Sequence, residues 1–212
     1  MKFLICLITS LSVLLSGCAV RNGELPESVD EKGIVANTTK IFVGIPVLLS
    51  LSGSTARLDE DWVLTAAHNG PILRLQGIEA IYHPTCDVAL IKRKGTNVPP
   101  NGVGLVYLSR PVTFVGYPMG MPVNVNSGQV IEDIVMSRTP GCMSTATAAT
   151  VRQGMSGGGA YNEQGQLVGV VLETAHNPVW NQVESDVKDA GVFVSILEIS
   201  DWLTEVTGNK YL

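Results

Sequence analysis

Asp61-Trp62-Val63-Leu64-Thr65-Ala66-Ala67-His68 is an apolar run that passes into small residues and ends on an imidazole. Its β-branched and aromatic residues read as a short, buried strand. Similar runs recur from Lys40 onward, at residues 41–43, 47–51, 72–75, 88–91, 103–108, 112–115, 128–131, 134–135, 166–172 and 192–195. Turns rich in Gly, Pro, Asn and Ser separate them at intervals of about ten residues, the pattern of an antiparallel barrel or sandwich. One helix signal stands out. Ile196, Ile199, Trp202, Leu203 and Val206 share a helical face, and Gly208 follows as a stop. The expected fold is all-β, with a C-terminal helix over about 196–207.

The composition supports a packed domain. Of 212 residues, 45% are hydrophobic and 16% charged, against about 25% charged in an average soluble protein. That balance excludes an intrinsically disordered chain. The net charge of −5 comes with no basic run longer than Lys92-Arg93-Lys94, so no nucleic-acid partner is expected.

The N-terminus reads as an address. Met1-Lys2 precedes an apolar stretch over 3–15, shorter than the roughly 20 residues of a membrane-spanning helix. Leu15-Ser16-Gly17-Cys18 resembles a bacterial lipobox, which implies removal of residues 1–17 and lipidation of Cys18. More than one acyl chain on Cys18 would give stable attachment to a membrane. With Ala19 rather than Asp after Cys18, the resemblance favours the outer membrane, the protein facing the periplasm or cell exterior. Residues 18–38 then form a polar tether.

Cys6 leaves with the signal and Cys18 carries lipid, so Cys86 and Cys142 remain. In an exported domain one pair reads as a disulfide. Two buried free thiols, or a zinc site drawing on His83 and His68, are the other readings. The zinc site lacks both Cys-x-x-Cys and His-x3-5-His spacing, and no metal is expected.

Three motifs carry chemistry. The first delivers His68 at the end of its strand; histidine takes and returns a proton near neutral pH. The second, Tyr82-His83-Pro84-Thr85-Cys86-Asp87-Val88-Ala89-Leu90-Ile91-Lys92, sets Asp87 at the mouth of an apolar strand. There it either caps a turn or orients a histidine. The third, Gln153-Gly154-Met155-Ser156-Gly157-Gly158-Gly159-Ala160, surrounds a serine with residues that permit a tight turn and aim backbone N–H groups at one spot. No Lys follows, so a phosphate loop is excluded.

Together these stretches resemble the chymotrypsin-like (trypsin-type) serine peptidases. Leu64-Thr65-Ala66-Ala67-His68 is similar to that family's histidine motif, with Asn69 where many members have Cys. Asp87-Val88-Ala89-Leu90-Ile91 looks like its aspartate motif, and Gly154-Met155-Ser156-Gly157-Gly158 fits its nucleophile loop. Val115-Gly116-Tyr117-Pro118-Met119-Gly120 is similar to a turn of bacterial members. The likeness covers about residues 40–208, in the family's order His, Asp, Ser.

The resemblance implies two six-stranded antiparallel barrels, over about 39–108 and 109–195, within a peptidase domain spanning 39–210. It implies a His68–Asp87–Ser156 triad that hydrolyses peptide bonds through an acyl-enzyme, with Gly154 and Ser156 N–H groups as the oxyanion hole. It implies no cofactor, a protein or peptide substrate, and a monomer. The primary pocket would be lined by Thr150, Val151, Gln153, Val171, Leu172, Glu173 and Thr174; lacking a buried charge, it would take small or apolar side chains. Met155 stands where digestive members carry an Asp that pairs with a new N-terminus, so activation by N-terminal insertion is not expected. Two other readings belong to different classes: a catalytically silent binding lipoprotein on the same scaffold, and a purely structural surface lipoprotein.

Overall fold

The computed structural model describes residues 33–45, 49–96, 98–99, 101–136, 141–176, 178–180, 183–184 and 187–212. The signal segment, Cys18 and most of the tether lie outside these residues. No helix among the described residues is long and apolar enough to cross a membrane.

The chain is mostly β. The first sheet joins β1 (Thr38–Ile45), β2 (Leu49–Arg57), β3 (Trp62–Thr65), β4 (Ile81–Tyr82) and β5 (Ala89–Lys92) in the order β1-β2-β3-β5-β4. The second is a closed barrel of β6 (Pro111–Gly116), β7 (Asn124–Met136), β8 (Met143–Thr147), β9 (Gly159–Tyr161), β10 (Leu167–His176) and β13 (Asp189–Ser195). A small hairpin, β11 (Val179–Trp180) with β12 (Val183–Glu184), stands apart.

Only one of the two expected barrels closes. In the first sheet, helix α1 (Gly70–Leu75) packs against β1. Ile72 and Leu73 of the helix join Ile41, Val63 and Ile91 in one apolar cluster. Just beyond the helix, the Gln76 side chain donates to the Phe42 carbonyl of β1 at 3.0 Å. The helix thus covers one face of the sheet through this cluster. Residues 72–75 had been expected as a strand; Pro71 at the first helical turn, where its missing N–H costs nothing, sets the helix instead. The expected strand at 103–108 is also absent. Val103 makes one isolated bridge to Leu167, while Tyr107 and Leu108 are exposed.

The packed chain begins before the expected residue 39, because Ile34 and Asn37 are already buried. At the other end, α2 (Ser200–Thr207) starts later than the expected 196 and stops at Gly208, whose φ of 76° lets its N–H reach the Thr204 carbonyl.

Strands β3 and β5 are buried on both faces. Val63 and Ile91 point into the first sheet's cluster, whereas Leu64 and Leu90 join Val170, Leu172, Ile199 and Leu203 in a core between the sheets. The closed barrel is filled by Phe114, Val130, Met155, Val171 and Phe193, with the Phe114 and Phe193 rings edge to face. Cys86 and Cys142 lie in the core between the sheets, their Cα atoms 5.0 Å apart and joined as a disulfide.

Candidate active site

The strand β3 ends at Thr65, and a 3-10 turn over Ala67–Asn69 presents His68 at the surface. Asp87, at the mouth of β5, reaches this turn twice. Its Oδ1 accepts the His68 backbone N–H at 2.8 Å, and its Oδ2 lies 2.5 Å from His68 Nδ1. The pair is half-exposed. The hydrogen bond to Asp87 holds the His68 imidazole above its ordinary pKa; burial opposes this, while the charges of Asp87 and Glu173 reinforce it.

The candidate nucleophile loop, around Ser156, comes from the closed barrel, between β8 and β9. Its carbonyls from Gln153 to Ser156 are all held. Gln153 O accepts from Met119 N–H at 2.8 Å and Gly154 O from the Ser54 hydroxyl at 2.8 Å. Met155 O accepts from Gly158 N–H at 2.9 Å, and Ser156 O from Ser54 N–H at 2.9 Å. The N–H groups of Met155 and Gly157 are also used, by Arg152 O and Val171 O. Those of Gly154 and Ser156 have no acceptor among the described residues. Gly154 has a φ of 98°, and a Cβ there would lie 2.7 Å from Met119 N and Tyr117 O. Only glycine fits.

The Ser156 hydroxyl does not bond to His68. It donates to the Leu172 carbonyl at 2.6 Å. That carbonyl is available because β10 is bulged: Val171 pairs with Phe193 and Glu173 with Val192, which leaves Leu172 without a partner across the ladder.

Of the expected pocket residues, Val171 and Leu172 are buried, and Val151, Glu173 and Thr174 are half-buried. The Thr174 hydroxyl donates to Val151 O at 2.8 Å, tying the two pocket segments together. Gln153 and Thr150 are exposed, and Thr150 N–H bonds to Asn126 Oδ1 at 2.9 Å. Met155 is fully buried in the barrel core. His83 stands away from this chemistry. Its Nδ1 accepts N–H groups of Thr85 and Cys86 at 3.2 and 2.8 Å, and its ring packs edge-on against Trp202.

Two residues that the sequence reading did not assign to the site touch the loop directly. Ser54 Oγ donates to Gly154 O and accepts Tyr117 N–H at 2.8 Å. Asn69 Nδ2 donates to Ser156 O and to Thr65 Oγ1, both at 3.0 Å. Both residues are buried. No local signal marks them: Ser54 lies among Ser50, Ser52 and Thr55, and Asn69 between His68 and Gly70.

The fold and the paired His68 and Asp87 define a protein of the serine-peptidase type. Residues 63–170 match the Trypsin-like peptidase domain family, and the chain belongs to it, among the chymotrypsin-like proteins. No curated protein matches the sequence. Solved structures similar in fold include a protease from M. tuberculosis in its active form, at 20% identity over 89% of this chain and 89% of that one, TM-score 0.59. The MamO protease domain from Magnetospirillum magneticum, in its apo form, aligns at 20% identity over 82% and 98%, TM-score 0.61. The serine endoprotease from Yersinia pestis aligns at 17% identity over 88% and 69%, TM-score 0.61.

Proposed function

We propose that the protein is a serine endopeptidase acting through His68, Asp87 and Ser156. The observation that carries this reading is the pair of hydrogen bonds that Asp87 accepts from the His68 turn, beside a serine whose own N–H and that of Gly154 have no acceptor among the described residues. Asp87 fixes the imidazole with Nδ1–H toward the carboxylate, leaving Nε2 as the base. Rotation of the Ser156 side chain away from Leu172 O presents its hydroxyl to Nε2, and Ser156 Oγ attacks the scissile carbonyl. The Gly154 and Ser156 N–H groups receive the developing oxyanion, an interaction worth on the order of 10²–10³ in rate per donor. His68 then protonates the leaving amine, and water hydrolyses the acyl-enzyme. These steps need only the chain's own residues.

The segments 150–153 and 171–174, which would line the primary pocket, carry no buried charge, and the Thr174 hydroxyl joins them at Val151 O. Small or apolar side chains before the scissile bond suit that pocket. Lipid on Cys18 would hold the domain at a bacterial membrane, the outer membrane by preference, as a monomer acting on protein or peptide substrates.

The Ser156 hydroxyl seated on Leu172 O favours one other reading, a catalytically silent binding lipoprotein. A fluorophosphonate probe decides between them, because only an activated serine reacts. Wild type labels and Ser156→Ala and His68→Ala do not, if the peptidase reading is right. An unlabelled, folded wild type would sink it.

A further inference from the structure

The two N–H groups proposed to bind the oxyanion are aimed by neighbours, because a peptide's N–H points opposite to its carbonyl. Of the four carbonyls from 153 to 156, the two in the peptides of those N–H groups, Gln153 O and Met155 O, are held from within the closed barrel, by Met119 and Gly158. The other two are held from the first sheet. Ser54 takes Gly154 O through its hydroxyl and Ser156 O through its N–H, and Asn69 takes Ser156 O through its carboxamide. A further link closes the group: Thr65 Oγ1 accepts from Asn69 and donates to Ser54 O at 2.7 Å.

The surroundings are shaped to this clamp. A Cβ on Gly53 would fall 2.5 Å from Asn69 Oδ1, so glycine at 53 is what admits the carboxamide. A Cβ on Gly157 would fall 2.2 Å from Ser54 O. The Ser54 hydroxyl is fully buried and uses both of its roles, donor to Gly154 O and acceptor from Tyr117 N–H. Without it two buried backbone groups are left unpaired, and the flexible Gly154 loses its tether.

We infer that Ser54 and Asn69 are positioning residues that grip the nucleophile loop from the opposite sheet, on both sides of the peptide that carries the Ser156 N–H, and lock that loop to the His68 turn. They touch neither substrate nor reacting atoms. The inference rests on the peptidase reading above. Its chemical content is that the transition state, not the ground state, feels their loss.

The test measures fluorophosphonate inactivation of the full chain, separating the maximal rate, kinact, from the half-saturating probe concentration, KI. Ser54→Ala should lower kinact by tenfold or more, leave KI within about threefold, and leave the pH midpoint of kinact unchanged because the His68–Asp87 pair is untouched. Asn69→Asp keeps the shape but replaces a donor by an acceptor, and it should lower kinact in the same selective way. It decides the matter where Ser54→Ala fails to fold by circular dichroism. Unchanged kinact in a folded variant overturns the inference, as does a loss spread equally over kinact and KI. A reactive wild type beside an equally reactive Ser54→Ala removes the clamp alone. An unreactive wild type removes the peptidase reading and the clamp together.

Discussion

Gly77 and Gly157 both adopt left-handed backbone conformations, with φ of 67° and 88°. Alanine at either position carries the same backbone cost, about 1–2 kcal/mol, reduced by about 0.4–1 kcal/mol through the stiffer unfolded chain. The surroundings differ completely. Nothing lies within 4 Å of a Cβ at Gly77, whereas one at Gly157 meets Ser54 O at 2.2 Å, Thr65 Oγ1 at 2.3 Å and Ala66 N at 2.8 Å. These are backbone and hydrogen-bonded atoms that cannot swing aside. Forcing them apart adds about 1–3 kcal/mol of overpacking, and breaking the Thr65–Ser54 bond adds about 1 kcal/mol. Gly77→Ala should therefore cost about 1 kcal/mol and Gly157→Ala about 3–5 kcal/mol. Urea unfolding followed by circular dichroism measures both, with the m-value checked for constancy. A difference below about 1 kcal/mol between the two variants would refute the idea that the nucleophile loop is seated directly on the first sheet.

Three further outcomes are expected. Replacing both Cys86 and Cys142 by Ala should lower stability by about 4 kcal/mol, from the loop-closure relation for a separation of 56 residues, and a loss under 1 kcal/mol in urea would count against a bridge between the sheets. Turnover needs neutral His68, so kcat/KM should rise with pH through a midpoint above the ordinary 6.5; Glu173→Gln removes a charge that raises His68, so that limb should move to lower pH, and an unmoved limb would contradict the electrostatic contact. Cys18→Ser should shift the protein from the membrane fraction to the soluble one, and continued sedimentation with membranes would exclude lipid anchoring through Cys18.

How much of this was legible in the sequence varies with the range of the interaction. Strand β3 and the placement of His68 follow from a local apolar run, and Asp87 from the next one; helix α2 follows from its 3.6-residue period. Residues 72–75 misled because four apolar residues carry no resolvable period, and the deciding feature was Pro71. Residues 103–108 misled because β-propensity counts only where a partner strand exists, and there only Val103 finds one. Strand β8, Met143–Thr147, is mostly small and polar and so was invisible, although Ser144 to Thr147 are buried. Ser54 and Asn69 meet the nucleophile loop across 100 and 87 residues of sequence. No local pattern encodes such a contact.

That distance has a consequence for how activity and stability are coupled. The first sheet carries His68, Asp87, Ser54 and Asn69, and the closed barrel carries Gly154 and Ser156. Neither half alone holds an oriented base together with an oriented nucleophile loop. The seam between them is sealed by the core that includes Leu64, Leu90, Val170 and Leu203, and by the Cys86–Cys142 bridge. Cavity-forming changes in such a core typically cost 2–5 kcal/mol, spread over the whole interface. A substitution such as Leu90→Ala, which leaves every candidate catalytic group in place, acts on the relative seating of the two halves. A misplacement of about 1 Å between reacting groups can cost on the order of 100-fold in rate. Loss of activity should therefore precede loss of fold along the denaturation curve of such a variant. The site belongs to the contact between the sheets more than to either sheet.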